Sequence, residues 1–158
     1  MEQRLNPFKA SPKGYQAMAA LENFVMSCGL ERPLLELVKM RASQINGCAY
    51  CLDMHSKDAR ALGESEQRLY LLNAWREAPF YTERERAALE WTEAVTLIAE
   101  NHVPDEVYQA VAKHFSEEEL ANLTLAISTI NAWNRLSISF RIEPGSYKSS
   151  LHPRSTTA

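Results

Sequence analysis

The chain has 158 residues, which is enough for one domain with a real core, and we do not expect two. Apolar residues make up 46% and charged residues 23%, as is ordinary for soluble globular proteins. The formal net charge of -3 gives no electrostatic reason to expect nucleic acid or an anionic membrane as a partner.

The composition favours an all-α fold. Only 5 glycines are present, and apart from residues 137–142 few runs alternate in the manner of a strand. No apolar run approaches the roughly 20 residues needed to cross a bilayer, and the start of the chain has no apolar segment typical of a secretory signal. We therefore predict a cytoplasmic protein, in which a close cysteine pair is more plausibly catalytic or metal-binding than structural.

The first elements in chain order are an arm and a helix. Residues 1–12 contain two prolines and little periodicity, which predicts an extended arm. A helix is expected from Gly14 to Cys28, with Gly29 as its C-terminal cap. Cys28 is distant in sequence from the other cysteines, and we expect it to be a small buried apolar residue without chemistry.

The second helix is predicted over Glu31 to Ile45, with Pro33 in its first turn, where proline is tolerated. Its apolar residues cover almost the whole circumference, which indicates a buried helix. Glu36 lies among them. Either it is paired with Lys39 or Arg41, or burial raises its pKa and it has a functional role. The sequence leaves both interpretations open.

The third helix is predicted from Cys48 to about Leu62, between the break at Asn46-Gly47 and a terminating Gly63. One stripe of this helix consists of Cys48, Cys51, Leu52, His55, Ala59 and Leu62. The face expected to point into the core thus carries two thiols and an imidazole, as in a shielded redox site.

The remaining predicted helices run over Ser65 to Trp75, Thr82 to about Glu100, Val103 to about Phe115, and from Ser116 onward. Capping boxes open two of them, at Thr82 with Glu85 and at Ser116 with Glu119. Their predicted apolar stripes are Leu69, Leu72 and Trp75; Ala87, Trp91, Val95 and Ile98; and Leu120, Leu123, Ile127 and Ile130, with Asn134 on the last line.

Two features near the C-terminus remain open. Asn131 and Asn134 are expected either at a subunit interface or as partners of buried backbone groups. From Glu143 onward periodicity disappears, so the tail 143–158 is predicted to be disordered or to wrap a neighbouring subunit.

The cysteine pair suggests dithiol chemistry. Residues three apart on a helix lie within disulfide range, and the helix start lowers the pKa of Cys48. His55 is one turn beyond Cys51 and can act on its thiol, and Glu36 can orient His55 if the two helices pack together. A thiolate could then attack a peroxide to give a sulfenic acid, which the second cysteine condenses into a disulfide. An external dithiol would restore the pair.

Three other interpretations compete. A zinc site would need a fourth ligand beside Cys48, Cys51 and His55, and His102 and His114 are isolated and expected on the surface. A thioredoxin-like fold would place its C-x-x-C after a strand. The pair could also be ordinary buried cysteines, although the nearby base and acid argue against this.

The run Glu36, Cys48-Ala49-Tyr50-Cys51, His55 resembles the active-site pattern of the AhpD-like alkylhydroperoxidases, within the carboxymuconolactone decarboxylase superfamily. That pattern has a glutamate twelve residues before a C-x-x-C and a histidine four residues after it, and the spacings match here. The resemblance extends to residues 41–47 and 131–136 and implies an all-helical domain of about six to seven helices that assembles as trimers or hexamers.

By this resemblance Cys51 attacks the peroxide, Cys48 is the resolving and partner-facing thiol, and Glu36 with His55 is the proton relay. The helix-dipole argument favours Cys48 as the more acidic thiol instead, and we follow the family for peroxide attack because His55 is closer to Cys51. The chain departs from the founding type at Tyr50, where that type has a histidine; a tyrosine with a pKa of about 10 cannot replace a neutral-pH base. The decarboxylase branch lacks the cysteine pair, so decarboxylation is not expected.

The sequence as a whole predicts an N-terminal arm (1–12), an AhpD-like helical domain (13–142) and a C-terminal tail (143–158). The predicted function is reduction of an organic hydroperoxide or hydrogen peroxide at the expense of a dithiol. The alternative is a redox-sensing or binding protein that uses the same thiols without catalysis. We expect a homo-oligomer and neither a cofactor, a bound metal, a nucleic acid nor a membrane as partner.

Overall fold

The computed structural model describes residues 2–151, and within that range every regular element is a helix. The helices are α1 (Pro7–Ala10), α2 (Pro12–Ser27), α3 (Arg32–Asn46), α4 (Ala49–Ala61), α5 (Glu66–Leu71), α6 (Glu83–Thr96), α7 (Ile98–Asn101), α8 (Asp105–Val111) and α9 (Glu117–Phe140), with a 3₁₀ turn at Leu72–Ala74 after α5. The predicted all-α class is confirmed.

Helix α3 is the centre of the fold and packs against α4, α6 and α9. Its apolar side chains are almost fully buried around the whole circumference, as the sequence pattern predicts. They are Leu34, Leu35, Leu37, Val38 and Met40. A helix enclosed on all sides places any polar side chain it carries inside the protein, and this is how Glu36 reaches the interior.

Helix α9 supplies the long wall opposite α3. Both predicted capping boxes form, at Thr82 with Glu85 before α6 and at Ser116 with Glu119 before α9. The predicted stripe of α9 is buried throughout: Leu120 is 6% exposed, and Leu123, Ile127, Ile130 and Asn134 are fully buried.

Predicted boundaries differ from the structure at the N-terminal arm and at the end of α6. The predicted extended arm contains the short helix α1, which Asn6 caps by accepting hydrogen bonds from two backbone N–H groups. The helix predicted to reach Glu100 ends at Thr96, and a separate turn, α7, follows. Ile98, predicted on the apolar stripe, is 54% exposed for this reason. The break redirects the chain so that Val103 packs on the core.

Among the helices of residues 2–151, none has the length and apolar character that a membrane crossing requires.

Candidate active site

The junction between α3 and α4 positions the cysteine pair. Gly47 ends α3 in the left-handed conformation, with φ of 70°, which a residue with a Cβ rarely adopts. Cys48 follows as the N-cap of α4, and its sulfur accepts a hydrogen bond from the backbone N–H of Cys51 at 3.3 Å. The predicted break at Asn46-Gly47 is confirmed, and Cys48 lies at the positive end of the helix dipole.

An asparagine cluster fixes this junction to α9. The side-chain N–H₂ of Asn46 donates to the side-chain oxygens of both Asn131 and Asn134, at 2.9 Å each. Asn134 donates in turn to the hydroxyl of Ser43 at 3.0 Å, and Asn131 donates to the Ile127 carbonyl at 2.9 Å. The two asparagines therefore satisfy buried polar groups inside the chain, which was one of the two predicted alternatives.

Cys48 and Cys51 are joined in a disulfide with a Cα–Cα distance of 5.3 Å. Each residue is only 1% exposed, and together with Ala42 and Ile130 they form a small cluster between α3, α4 and α9. In this disulfide form the two sulfurs are bonded to each other and are not thiolate ligands. Cys28 is half-buried and donates to the carbonyl of Val25, away from the pair.

The two cysteines border different cavities. Cys51 lines a cavity of about 270 Å³ together with Glu36 and His55. Cys48 lines a separate cavity of about 500 Å³ between the start of α4 and the end of α9. Tyr50 contributes to the walls of both. A ligand of Cys51 and a ligand of Cys48 can therefore arrive from different sides.

Glu36 and His55 form a buried pair. The Nδ1 atom of His55 lies 2.7 Å from Oε2 of Glu36, and the two residues are 4% and 1% exposed. Burial alone would raise the pKa of Glu36, but the hydrogen bond to His55 and the charges of His55, Lys39 and Arg32 together lower it below its ordinary value. Glu36 is therefore a carboxylate, which accepts a hydrogen bond from the Nδ1–H of His55 and leaves Nε2 as the second ring nitrogen of the site.

Two details of the alternatives that the sequence left open for Glu36 do not describe the structure. Its partner is neither Lys39, which pairs with Glu22, nor Arg41, which pairs with Glu93 at 2.8 Å. Its pKa moves down rather than up, because the hydrogen bond and three positive neighbours outweigh the desolvation that the sequence argument considered alone.

The 270 Å³ cavity has an apolar wall and an ionic wall. Its apolar residues are Phe8, Tyr15, Met26, Tyr50, Met54 and Trp133. Its ionic wall includes the buried Lys39 and its partly exposed partner Glu22, and Trp133 donates its indole N–H to Glu22 at 3.2 Å. The cavity thus offers a small organic molecule an apolar surface next to Cys51.

Two residues of this cavity have no counterpart in the sequence prediction. Asp58 is 7% exposed, and both its carboxylate oxygens accept from the hydroxyl of Tyr147, at 2.9 and 3.0 Å. Asp58 comes three residues after His55, so helical spacing alone could have indicated that the two side chains share a face of α4. No sequence pattern indicated Tyr147, because it reaches the site from a segment without periodicity.

Tyr147 also corrects the prediction for the tail. Residues 143–151 contain no helix, but Gly145 and Tyr147 bind α4 of their own chain through Asp53, Lys57 and Asp58. Neither disorder nor wrapping of a neighbour describes this part of the chain. Residues 152–158 of the predicted tail lie outside the described residues.

One group of side chains could hold a metal ion. Donor atoms of Glu36, His55 and Asp58 lie within 4.8 Å of one another, and all three residues are buried. Each is already engaged, however, in the Glu36–His55 and Asp58–Tyr147 hydrogen bonds. Acids and a base held in this way are suited to moving protons.

Comparison with known proteins identifies a matching family model and a similar bacterial protein. The family model "Carboxymuconolactone decarboxylase family" matches residues 12–94. The chain is 47% identical over 138 residues to the uncharacterised protein YdfG of Bacillus subtilis (strain 168), covering 87% of this chain and 94% of that protein.

Solved structures of AhpD-like proteins have the same fold. The protein of unknown function ATU0492 from Agrobacterium tumefaciens, provisionally described as the antioxidant defence protein AhpD, superposes with a TM-score of 0.90 at 49% identity, covering 92% of this chain and 100% of that one. An uncharacterised peroxidase-related protein from Ralstonia eutropha JMP134, with an alkylhydroperoxidase AhpD core, has a TM-score of 0.78 at 20% identity, covering 88% and 74%, and shares the fold alone. The chain belongs to the carboxymuconolactone decarboxylase family and, within it, to the AhpD-like proteins.

Proposed function

We propose that the protein is a dithiol peroxidase that reduces hydroperoxides through a sulfenic acid on Cys51 and a Cys48–Cys51 disulfide. The observation that carries this proposal is the cavity in which Cys51 meets the His55–Glu36 pair. A thiol needs a base to become a nucleophile at neutral pH, and here a buried carboxylate orients that base. The description of ATU0492 as an antioxidant defence protein supports the same chemistry.

The first half-reaction takes place at Cys51. His55 accepts the thiol proton, and the Cys51 thiolate attacks the terminal oxygen of the hydroperoxide. The O–O bond breaks, an alkoxide leaves, and the proton held by His55 converts it to an alcohol. Cys51 is then a sulfenic acid, oxidised by two electrons. The Cys48 thiol attacks the Cys51 sulfur, which forms the disulfide and releases water.

The second half-reaction restores the thiols. A thiol of an external dithiol loses its proton to solvent, and its thiolate attacks the Cys48 sulfur from the 500 Å³ cavity. Cys51 leaves as a thiolate, which takes up a proton from solvent through His55. The second thiol of the reductant then attacks the mixed disulfide, releases Cys48 and is itself oxidised. This assignment divides the work between the cavities, because peroxide reaches Cys51 and the reductant reaches Cys48.

Tyr50 takes no part in these proton transfers. Burial, followed by the charges of Tyr15 and Asp53, raises its pKa above the ordinary value of tyrosine. Its hydroxyl therefore remains protonated at neutral pH and does not supply a phenolate base. This leaves His55 as the base of the site and supports Cys51, which shares the His55 cavity, as the attacking thiol.

The test measures hydroperoxide consumption by the reduced protein with dithiothreitol or dihydrolipoamide as the electron donor and cumene hydroperoxide as the substrate. We expect turnover by the wild type, none by Cys51→Ser, and stoichiometric sulfenic acid without turnover in Cys48→Ser. Cys28→Ser is the matched control, since this thiol lies outside the site, and it should keep wild-type activity.

Equal, slow consumption by the wild type and Cys51→Ser with both donors would contradict the proposal. The alternative function, a redox sensor, predicts a different result: one equivalent of peroxide forms the disulfide, and no donor then supports further consumption.

A further inference from the structure

The C-terminal strap, defined here as residues 143–147, leaves α9 and crosses α4 next to the active-site cavity. Its backbone is attached at two positions. The N–H of Gly145 donates to the side chain of Asp53 at 3.0 Å, and Lys57 donates its ammonium to the carbonyl of Tyr147 at 3.0 Å. Lys57 also binds Asp53 at 2.8 Å, so one surface ion pair of α4 receives the strap.

The side chain of Tyr147 continues from this attachment into the cavity wall. It lines the cavity with Cys51, His55 and Asp58, and its hydroxyl lies between the two oxygens of Asp58. Among residues 2–151, Tyr147 is the hydrogen-bond donor that the structure gives the Asp58 side chain. Without it, a nearly buried carboxylate would lose its partner, which is costly because little water can replace the bond.

Asp58 in turn borders the relay. Its carboxylate, that of Glu36 and a ring nitrogen of His55 lie within 4.8 Å of one another. Glu36 has the positive neighbours Lys39 and Arg32, whereas Asp58 has Tyr147. The two carboxylates beside His55 are therefore stabilised separately, Glu36 by positive charges on α3 and Asp58 by a hydrogen bond from the strap.

We propose that Tyr147 is a positioning residue: its hydroxyl fastens the strap over the cavity and holds the Asp58 carboxylate beside the His55–Glu36 pair. The effect of Asp58 on catalysis rests on the proposed function, whereas the fastening of the strap by Tyr147 does not. When the strap is closed, Cys51 is shielded and Asp58 is fixed. When it opens, the thiol is exposed to reagents and Asp58 loses its orientation. Burial first, and then the hydrogen bond and charge of Asp58, raise the pKa of Tyr147, so its hydroxyl stays a donor at neutral pH.

The structural consequence is tested without any peroxide. Tyr147→Phe keeps the ring and removes the hydroxyl, and Tyr70→Phe is the matched control because Tyr70 is 70% exposed on α5. We expect Tyr147→Phe to speed amide hydrogen exchange in residues 143–147 and iodoacetamide labelling of reduced Cys51 by roughly tenfold or more, as expected for loss of a hydrogen bond to a charged group. Exchange and labelling at the wild-type rates would overturn the proposal.

The positioning role is tested by a double-mutant cycle in kcat/KM for cumene hydroperoxide. If Tyr147 acts through Asp58, Tyr147→Phe, Asp58→Ala and the double variant should lose activity to about the same extent. Losses that multiply would overturn the positioning role, because a general loss of packing is independent at the two residues. Absence of peroxidase activity in the wild type would reject the proposed function, while exchange and labelling would still decide whether Tyr147 fastens the strap.

Discussion

Glu36 keeps a negative charge in a position that water hardly reaches, and in the proposed mechanism this charge orients His55 as a base. A neutral acid at this place could donate to the imidazole and occupy its lone pair. A carboxylate instead accepts from Nδ1 at 2.7 Å and leaves Nε2 free to take a proton from a thiol. The hydrogen bond and positive neighbours that lower the pKa of Glu36 are therefore part of the site's chemistry.

The lowered pKa of Glu36 predicts a dependence of stability on pH. Because the folded pKa lies below the ordinary value of about 4.3, the carboxylate stabilises the fold above that pH and loses its contribution as the pH falls through the folded pKa. Thermal unfolding should show a smaller loss of midpoint below pH 4.3 in Glu36→Gln than in the wild type. The exposed Glu77, changed to Gln, is the control. Parallel curves for Glu36→Gln and the wild type would contradict the assignment.

At the scale of single residues, the sequence predicted which side chains share one cavity better than it predicted the partners of the neighbouring charges. Glu36 and His55 were paired by the spacing shared with a family, since nothing in a sequence alone tells which side chain of α4 meets Glu36. The rejected partner Lys39 is engaged by Glu22, seventeen residues earlier. Such a choice depends on how α2 and α3 pack, which periodicity does not specify.

At the scale of elements, the turn between α3 and α4 sets the position of Cys48. Gly47 has φ of 70° and no atoms within 4 Å of an added Cβ, so a substitution there would meet backbone strain without a steric clash. The asparagine cluster fixes the same turn to α9 from the other side. The position of Cys48 is thus fixed both by the left-handed turn at Gly47 and by the hydrogen bonds of the asparagine cluster.

Replacing Gly47 by alanine should destabilise the fold by about 1 kcal/mol, the cost of a left-handed conformation for a residue with a Cβ. Urea unfolding measures this value. Gly47→Asn is the matched variant, since asparagine tolerates that conformation, and it should recover most of the loss. Equal destabilisation by alanine and asparagine would show that something other than backbone conformation requires glycine.

Replacing Asn134 by alanine should cost more, about 2–3 kcal/mol, because it removes a fully buried side chain and leaves Asn46 and Ser43 short of a partner. Chemical denaturation of the reduced and oxidised protein measures this cost. Ser128→Ala, on the exposed side of the same helix, is the control. A loss no larger than that of the control would mean that the asparagine cluster does not fix the junction.

The helices themselves were largely predictable, and the reasons are local. Capping boxes and apolar periodicity lie within a few residues of each other, so α6 and α9 begin where the sequence predicted. The break at Leu97 was not predictable in this way. The apolar stripe continues through Ile98, but the chain turns so that Val103 reaches the core. Whether Ile98 or Val103 packs on the core depends on how all the helices pack together, and local periodicity does not specify this packing.

At the scale of the molecule, the chain encloses its disulfide and gives each sulfur its own cavity. The strap is the element least accessible to sequence reasoning, because Tyr147 meets Asp58 across 89 residues of chain without a periodic signal. Assembly into trimers or hexamers remains a prediction, which light scattering of the purified protein measures; a monomer at micromolar concentration would contradict it.

The central claim is that a hydroperoxide oxidises Cys51 and that Cys48 completes the disulfide. The most direct measurement is peptide mass mapping of the reduced protein after one equivalent of cumene hydroperoxide. We predict a loss of two hydrogens in the peptide that holds Cys48 and Cys51, no change at Cys28, and no such loss in Cys51→Ser. An unchanged mass of this peptide after the peroxide is consumed, or oxidation confined to Cys28, would contradict the account.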